Sequence, residues 1–394
     1  MMTQSSFHLF DLLHHTHWDT KQLIVGIQRD QICSNNSSPY LHFVLRMMRA
    51  LLNHEVIQLR HDIALEQVDF GTSAYAQPIG SLQHLLDLLR HSKSEIALST
   101  SGTTGQPQWY TYSVASLLRH TRRGSKYRND RWLLTYHPAH MGGIQVFLQA
   151  LFNHNPIFYA YRAKRQQILA AIESHQISHL SGTPTFYRLL LPMDQNYPSV
   201  QRLSLGGERF PPLLINQLRP YFPNAQFNNI YASTETGTLF ISHNDIFQLS
   251  ADLKDKVKEV DGLLYLHCSL LNPSLNKNEW HATGDYIEWV DEQCFRIVGK
   301  KNEWINVAGY RVHLPSIETK IKQLPGIQDC RLFCRKSSLT GKLITCKVQV
   351  TNKYWTVQNL KTKLRELLPP HQLPRIIEFV EELPMGHTGK AVRI

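Results

Sequence analysis

The 394 residues of this chain are more than one hydrophobic core usually organises, and 42% of them are hydrophobic, 10% aromatic and only 19% charged. This composition excludes a disordered or fibrous chain, and no apolar stretch reaches the roughly 18 residues that a membrane-spanning helix needs. The 42 Lys and Arg against 31 Asp and Glu give a formal charge of +11, which favours anionic partners such as nucleotides, coenzyme A, acidic carrier proteins or nucleic acid.

The N-terminal segment from Met1 to Asp19 lacks the basic, apolar and small-residue sections of a signal peptide. It carries several histidines without the spacing of metal ligands, which we interpret as surface composition: His8, His14, His15 and His17. We therefore expect a cytoplasmic protein without a metal site in this segment.

From about Ser81 the sequence alternates short β-rich runs with amphipathic helical stretches. The predicted strands are 95–99, 132–136, 156–159, 178–181 and 202–205. The predicted helices between them are 113–121, 143–152, 165–175, 185–191 and 211–221. Such alternation is typical of a layered α/β domain with much parallel sheet.

The densest basic stretch runs from Arg119 to Arg131, and we interpret it as a solvated helix end and loop. No zinc-finger, aromatic RNA-binding or basic heptad pattern accompanies it, so we expect no nucleic-acid partner.

After Gly299 the pattern restarts as a compact unit. It predicts helices 315–324 and 357–368 and strands near 329–333, 343–350 and 375–380. We expect a large α/β domain of residues 1–301 and a small, mobile α+β domain of residues 302–394, with the boundary near Asn302.

A loop rich in Ser, Thr and Gly directly follows the strand predicted at 95–99. It reads Ser99-Thr100-Ser101-Gly102-Thr103-Thr104-Gly105-Gln106-Pro107. Glycines let the backbone approach an anion closely, while hydroxyls and successive N–H groups surround phosphate oxygens. The spacing is not that of P-loop ATPases. The density of these residues after a buried strand favours a phosphate-binding loop over a polar turn.

This loop resembles the phosphate-binding loop of the adenylate-forming superfamily, which includes acyl-CoA synthetases, peptide-synthetase adenylation domains and firefly luciferase. Further segments that resemble this family's motifs follow in the family's order. They are Tyr231-Ala232-Ser233-Thr234-Glu235-Thr236, Thr283-Gly284-Asp285, Gly299-Lys300-Lys301-Asn302 with Val307-Ala308-Gly309-Tyr310-Arg311-Val312, and Leu383-Pro384-Met385-Gly386-His387-Thr388-Gly389-Lys390. Each segment alone is weak, but their common order indicates membership.

The resemblance implies an ATP site. Tyr231 would offer an aromatic face for adenine, Thr234 a hydroxyl for the α-phosphate, and Glu235 an oxygen ligand for Mg²⁺. Asp285 would accept hydrogen bonds from both ribose hydroxyls, and Lys300 would reach a ribose hydroxyl. The other predicted nucleotide-binding residues are Thr100, Ser101, Gly102, Thr103, Thr104, Gly105, Gly207, Glu208 and Ser233.

The resemblance also implies where the acid binds. Residues 136–143 resemble a family segment in which a His or aromatic side chain borders the reacting carboxylate, and His140 is the matched residue. The predicted acyl pocket consists of His140, Gly142, Gly206 and Ala232. Because Met141-Gly142-Gly143 supply no carboxylate for an ammonium, we expect an acid without an α-amino group.

The small domain is implied to serve both half-reactions. Lys390 would bridge the substrate carboxylate and the α-phosphate during adenylation. The domain would then rotate about Asn302 and present the face around Gly309 to the incoming thiol.

The sequence departs from the family at several positions. Gln108-Trp109 stand where the family usually has Lys-Gly, which removes a positive charge near the pyrophosphate. Lys300 replaces the family's Arg, so the planar guanidinium of Arg is missing at that position. Asn302 replaces the family's Asp. Only about 98 residues precede the loop, fewer than in most relatives, so we expect a shortened N-terminal part.

The resemblance therefore implies an enzyme that joins an aryl or small carboxylic acid to AMP, releases pyrophosphate and transfers the acyl group to coenzyme A. Its small size is similar to that of the o-succinylbenzoate and aryl acid ligases. Two alternatives stay open. In the first, the acceptor is the phosphopantetheine thiol of an acyl carrier protein. In the second, the chain binds nucleotide but has lost catalysis.

Overall fold

The computed structural model of the chain describes most of its length, namely residues 6–29, 38–60, 64–65, 68, 73–100, 108–119, 121–272, 275, 278–307, 309–337, 341–351 and 354–383. The chain divides into two compact units. The first is built from Met1–Lys256 and His267–Trp280, and the second from Val257–Leu266 and His281–Gly386.

The first unit mixes strands and helices along its length. Its strands are β1 (His8–Asp11), β2 (Thr16–Asp19), β3 (Val56–Leu59), β4 (Glu95–Thr100), β5 (Gln108–Ser113), β6 (Trp132–Leu134), β7 (Ile157–Tyr159), β8 (His179–Gly182), β9 (Arg202–Gly206), β10 (Gln226–Ser233), β11 (Gly237–Ser242) and β12 (Ile246–Gln248). Its helices are α1 (Thr20–Gln28), α2 (Pro39–Leu52), α3 (Leu82–Arg90), α4 (Val114–Leu118), α5 (Met141–Leu151), α6 (Arg165–Ser174), α7 (Pro184–Leu190) and α8 (Pro212–Leu218).

The main sheet of this unit has eight strands in the order β11-β10-β9-β8-β6-β7-β1-β2. Every pairing from β10 to β1 is parallel, and the outer pairs β10–β11 and β1–β2 are antiparallel. Leu133 and Leu134 on β6 are both fully buried, yet they belong to two different apolar clusters. Since successive side chains of a strand point to opposite faces, the sheet separates two cores, as covered parallel sheets do.

A small sheet in the order β3-β4-β5 holds the ends of the predicted phosphate-binding loop. β4 and β5 are antiparallel, and their register pairs Thr100 with Gln108. The loop residues between them, 101–107, lie outside the described residues, and so does Lys390.

The second unit has its own sheets and its own core. Its elements are β13 (Val257–Val260), β14 (Leu263–His267), β15 (Trp280–Trp289), β16 (Cys294–Lys300), β17 (Trp304–Val307), β18 (Tyr310–His313), α9 (Leu314–Lys322), β19 (Ile327–Ser337), β20 (Gly341–Val350), α10 (Val357–Leu367) and β21 (Ile376–Phe379). Strands β16, β15, β14 and β13 lie side by side in that order, β17 pairs with β18, and β20 lies between β19 and β21. An apolar cluster that includes Ile317, Leu332 and Leu360 packs α9 and α10 against the last of these sheets.

The predicted fold class, a large layered α/β part with a smaller C-terminal domain, is confirmed. The helices and strands predicted from periodicity are present, with ends that shift by a few residues. The helix predicted at 113–121 is the shorter α4, whose first turn is capped by the Ser113 side chain. The domain boundary near residue 302 stays a prediction. In the structure, residues 281–301 group with the second unit. Among the described residues no helix is long and apolar enough to cross a membrane.

Candidate active site

The carboxyl ends of the parallel strands bring several predicted site segments to one edge of the main sheet. His140 follows β6, Gly207 and Glu208 follow β9, and Thr234 and Glu235 follow β10. Ligands of open α/β sheets bind in the crevice outside the carboxyl ends of the strands. This edge is therefore the candidate active site of the first unit.

His140 is held in place by the start of α5. It is the residue before the helix, and its Nδ1 accepts a hydrogen bond from the Gly142 N–H at 3.1 Å. Its ring is stacked near the ring of Tyr136, with 5.9 Å between centroids. A Cβ at Gly143 would lie 2.3 Å from the carbonyl oxygen of His137, so this turn accepts only glycine there. The Gly-Gly pair thus lets the chain turn tightly enough to position His140.

The ring of Tyr136 connects most of the predicted acyl pocket. The ring stacks with His140, and it would lie 3.2 Å from a Cβ added at Gly142. The Tyr136 hydroxyl would lie 3.6 Å from a Cβ added at Gly206. Burial raises the pKa of Tyr136, so its hydroxyl is protonated at neutral pH. Ala232, the fourth predicted residue, is half-buried near the end of β10, beside a bulge in its pairing with β11.

Glu208 is bound by a partner that the sequence analysis missed. Its carboxylate accepts hydrogen bonds from the Thr185 hydroxyl at 2.8 Å and from the Thr185 N–H at 3.1 Å, and the Arg188 guanidinium lies 3.5 Å away. Gly207 before it has a φ of +80°, which favours glycine. Glu208 therefore fastens the turn after β9 to α7. Neither Thr185 nor Arg188 stood in a recognisable motif.

The turn that carries Glu235 is held by neighbours on both sides. The Tyr112 hydroxyl donates a hydrogen bond to the carbonyl oxygen of Thr234. The Asn272 N–H donates to the carbonyl oxygen of Glu235 at 2.7 Å, and the Glu235 N–H donates to the Ser233 hydroxyl at 3.2 Å. These contacts give hydrogen-bond partners to the backbone groups of the turn, and they do not use the Glu235 carboxylate.

Two tyrosines of β5 adjoin the Glu235 carboxylate. Burial and the negative charge of Glu235 raise the pKa of Tyr110 to about 12, and burial likewise raises the pKa of Tyr112. The Tyr110 hydroxyl also donates to Oε1 of Gln108 at 2.9 Å. Both tyrosines are neutral donors at physiological pH. Gln108, which replaces the family's usual Lys, is thereby linked to Glu235 through Tyr110.

Tyr231 is fixed by aromatic neighbours. Its ring centroid lies 5.6 Å from that of Phe240 and 6.3 Å from that of Phe247, and the side chain is half-buried. Offset and edge contacts of this kind stabilise a ring orientation. The predicted adenine contact thus starts from an ordered aromatic side chain.

Asp285 and Lys300, both predicted to contact the ribose, lie side by side in the second unit. The register of β15 and β16 pairs the two residues, and the Lys300 Nζ is 3.0 Å from Oδ1 of Asp285. Asp285 is only 4% exposed, and its N–H donates to the Thr283 hydroxyl. Gly284 between them has a φ of +78°, which turns the chain at this motif.

The segment around the predicted hinge is anchored within the second unit. The Lys300 N–H donates to Oε2 of Glu303 at 2.7 Å, which caps the short helical turn Lys301–Glu303. The same oxygen lies 3.7 Å from Nε2 of His313, whose ring stacks on Trp304. Asn302 belongs to this turn, but its side chain is outside the described part.

Gly309 lies in the hairpin between β17 and β18. It is exposed and has a φ of +87°, and a Cβ there would meet no atom within 4 Å. The predicted thiol-side position is therefore open to solvent. The site predictions for Ser101, Gly102, Thr103, Thr104, Gly105 and Lys390 fall outside the described residues, as does the side chain of Thr100.

Two family profiles match this chain. The profile of the AMP-binding enzyme covers residues 96–268, and that of the AMP-binding enzyme C-terminal domain covers residues 316–390. The matched regions together span more than half of the chain, and they include the Glu235 turn and the C-terminal segment with Lys390.

Relatives and solved structures agree with this match. A 2-succinylbenzoate–CoA ligase of Staphylococcus epidermidis is 24% identical over 89% of this chain and 82% of its own length. The structure of MatB from Rhodopseudomonas palustris with ATP bound has a TM-score of 0.68 at 14% identity, over 99% of this chain and 94% of its own. The o-succinylbenzoate CoA synthetase MenE of Bacillus subtilis, in complex with its acyl-adenylate intermediate, has a TM-score of 0.58 at 18% identity, over 76% and 68%. The motifs, the fold and these matches agree, and the chain belongs to the family of AMP-binding enzymes.

Proposed function

We propose that this chain is an AMP-forming acid–thiol ligase for an aryl or small carboxylic acid. A carboxylate oxygen of the acid attacks the α-phosphorus of ATP, and the bond from that phosphorus to the leaving pyrophosphate breaks. The sulfur of the thiol then attacks the acyl carbon, and the bond to the AMP oxygen breaks. The names of the Staphylococcus and Bacillus relatives support this chemistry.

The observation that carries the proposal is that the His140 turn and the Glu235 turn lie at the same edge of the main sheet. A carboxylic acid next to His140 and a nucleotide phosphate next to Thr234 would bring the reacting atoms together. Holding two reactants in this way removes much of the entropic barrier to their reaction.

Glu235 fits a role as Mg²⁺ ligand. Mg²⁺ keeps several waters and is usually bound through one or two carboxylates plus substrate phosphates. Among the described residues no group of three or more His, Cys, Asp and Glu side chains forms a metal cluster, so Glu235 would hold the ion together with phosphate and water oxygens. Bound there, the ion would offset the charge of the phosphates. The Tyr112 hydroxyl would hold the Glu235 turn in place through its hydrogen bond to the Thr234 carbonyl oxygen.

The C-terminal residues would act in sequence. Asp285 and Lys300 would hold the ribose, and Lys390 would stabilise the charge that develops as the acid meets the α-phosphate. Rotation about Asn302 would then exchange Lys390 for the face around Gly309. The open surroundings of Gly309 support this division of labour.

We favour coenzyme A as the acceptor, with the phosphopantetheine of an acyl carrier protein as the alternative, and we place the reaction in the cytoplasm. Both acceptors are anionic, in keeping with the charge of +11. Thioester formation with free coenzyme A and with a loaded carrier protein, measured side by side on one acid, distinguishes them.

The proposal is tested by exchange of labelled pyrophosphate into ATP over a panel of aryl, short alkyl and amino acids. We expect exchange with an acid that lacks an α-amino group. ATP binding without exchange on any acid would instead favour a nucleotide-binding protein without catalysis. The feature that motivates this second hypothesis is Gln108, which stands in place of the family's usual Lys.

A further inference from the structure

The strand order of the main sheet reverses next to β6. From β6 the chain crosses through α5 to β7 on one side, and from β8 it crosses through α7 to β9 on the other side. Ligands of open α/β sheets bind in the crevice at such a switch point, outside the carboxyl ends of the strands. The crevice of this sheet therefore lies between the ends of β6 and β8.

The ring of Tyr136 lies in this crevice. Tyr136 comes two residues after β6, is only 8% exposed and belongs to the apolar cluster on one face of the sheet. Its hydroxyl forms a hydrogen bond with the side chain of Ser181 on β8. The neighbouring Thr135 hydroxyl donates to the Ser181 carbonyl oxygen at 2.7 Å, which ties the two strand ends together. Tyr136 thus spans the gap from β6 to β8.

Backbone encloses the ring on two further sides. A Cβ added at Gly142 in α5 would lie 3.2 Å from two carbon atoms of the ring, which is closer than ordinary van der Waals contact. A Cβ added at Gly206 on β9 would lie 3.6 Å from the hydroxyl. The two glycines therefore let the ring pack directly against the main chain. Because close-packed interiors yield little, the ring is a fixed wall of the crevice rather than a movable gate.

We propose that Tyr136 is the wall that limits the size of the acid, so that the enzyme accepts a single ring or a short chain and excludes longer bodies. This inference rests on the proposed ligase function. His140, the predicted neighbour of the reacting carboxylate, stacks near this ring, and Gly142 and Gly206 of the predicted acyl pocket border it. An acid whose carboxylate lies beside His140 would therefore have the Tyr136 ring next to its body.

Tyr136 would act through its volume rather than through charge. Burial raises the pKa of its hydroxyl, which is neutral at physiological pH and already bonded to Ser181. One methylene more or less in an apolar pocket changes kcat/KM by about 10- to 200-fold. The volume of a whole ring therefore suffices to decide between acids that differ by several methylenes.

The test compares benzoate with 4-butylbenzoate and butanoate with octanoate in pyrophosphate exchange without coenzyme A. We expect the wild type to prefer the smaller acid of a pair by about tenfold or more in kcat/KM, and Tyr136→Ala to lower this ratio by about tenfold or more. Tyr136→Phe, which keeps the ring, should leave the ratio within about twofold. Both acids of a pair are measured on one protein sample, so a smaller folded fraction cancels in the ratio.

Tyr197→Ala is the matched control. Tyr197 is equally buried, at 5% exposed, and its ring packs near Phe222, but it precedes β9 at the opposite edge of the sheet. Its removal should leave the ratio unchanged. Tyr136→Leu, which shortens the side chain and keeps it apolar, takes the place of Tyr136→Ala if the latter does not fold, and it should lower the ratio in the same direction.

Equal use of both acids by the wild type, or an unchanged ratio in the shortened Tyr136 variant, overturns the inference while the ligase function stands. A ratio that falls as far in Tyr136→Phe assigns selectivity to the hydroxyl, and one that falls as far in Tyr197→Ala assigns it to general loosening, so either result also overturns it. An absence of exchange with every acid in the wild type overturns the ligase function, and this inference with it.

Discussion

The ammonium of Lys300 lies 3.0 Å from Oδ1 of Asp285, across the paired strands β15 and β16. Asp285 is almost completely buried, whereas the side chain of Lys300 is 57% exposed. The pair presents one acceptor and one donor at the same point. This arrangement matches a ribose, whose two neighbouring hydroxyls both donate and accept hydrogen bonds.

The first prediction concerns this pair. Lys300→Met should raise the KM for ATP by about three- to tenfold, because one hydrogen bond to a charged group contributes about 1.5–3 kcal/mol before solvent competes for it. The Tm should fall as well, because the buried Asp285 carboxylate would lose the Lys300 cation. Lys300→Arg should keep most of the affinity. Pyrophosphate exchange at varied ATP checks this, and an unchanged KM in Lys300→Met would separate Lys300 from the nucleotide.

The second prediction concerns Glu235, the proposed Mg²⁺ ligand. Glu235→Gln preserves the size of the side chain and the backbone contacts of Asn272 and Tyr112, so the fold should remain. Turnover should fall by about 10²-fold or more, because the Mg²⁺ that offsets phosphate charge would lose its protein ligand. Activity measured against Mg²⁺ concentration should show a raised requirement. A variant as active as the wild type at limiting Mg²⁺ would exclude Glu235 from the metal site.

The sequence and the structure agree where local patterns carry the information. Period-two and period-3.6 patterns predicted the strands and helices, because burial on one face dictates both. Thr185, Tyr112 and Asn272 were missed because their contacts with the site come from other parts of the chain. Such contacts depend on how the strands are ordered in the sheet, which no local pattern encodes. Tyr110 and Tyr112 offered one available signal, since alternate residues of β5 share a face.

The third prediction tests the packing behind His140. A Cβ at Gly143 would lie 2.3 Å from the His137 carbonyl oxygen, and backbone cannot yield as a flexible side chain can. Gly143→Ala should therefore lower stability by about 1–3 kcal/mol and misplace His140. Gly80→Ala is the matched control, because a Cβ at Gly80 would meet nothing within 4 Å. Thermal unfolding of both variants tests this prediction, and equal Tm values for Gly143→Ala and Gly80→Ala would contradict the geometry.

The fourth prediction concerns pH and a buried pair, His179 and Asp130, whose Nε2 and Oδ2 atoms are 3.5 Å apart. Burial, aided by the Arg202 charge, lowers the pKa of His179 to about 3. Burial raises the pKa of Asp130 to about 6, although Arg202 opposes this rise. Both groups therefore favour their neutral forms in the folded state.

The two shifts act on stability in opposite directions. The unfolded chain takes up a proton at His179 near pH 6.5 and the folded chain does not, so the contribution of His179 is lost as pH falls from about 6.5 towards 3. The folded chain binds a proton at Asp130 more readily, so its contribution is present below about pH 4 and is lost as pH rises through about 6. Asp130 thus offsets part of the acid sensitivity of His179.

Asp130→Asn should consequently lose stability more steeply than the wild type as the pH falls from 6 to 4, since the compensating group is gone. His179→Asn, with Asp130 retained, should instead lose less stability or even gain some over the same range. Both changes lie at the end of the strands opposite the candidate active site, so pyrophosphate exchange at pH 7.5 serves as the control for an intact site. The measurement is the Tm of the three proteins in steps across pH 7 to 4. Parallel curves for all three would mean that neither group titrates differently in the folded and unfolded chain, and a shallower curve for Asp130→Asn would reverse the assigned roles of the pair.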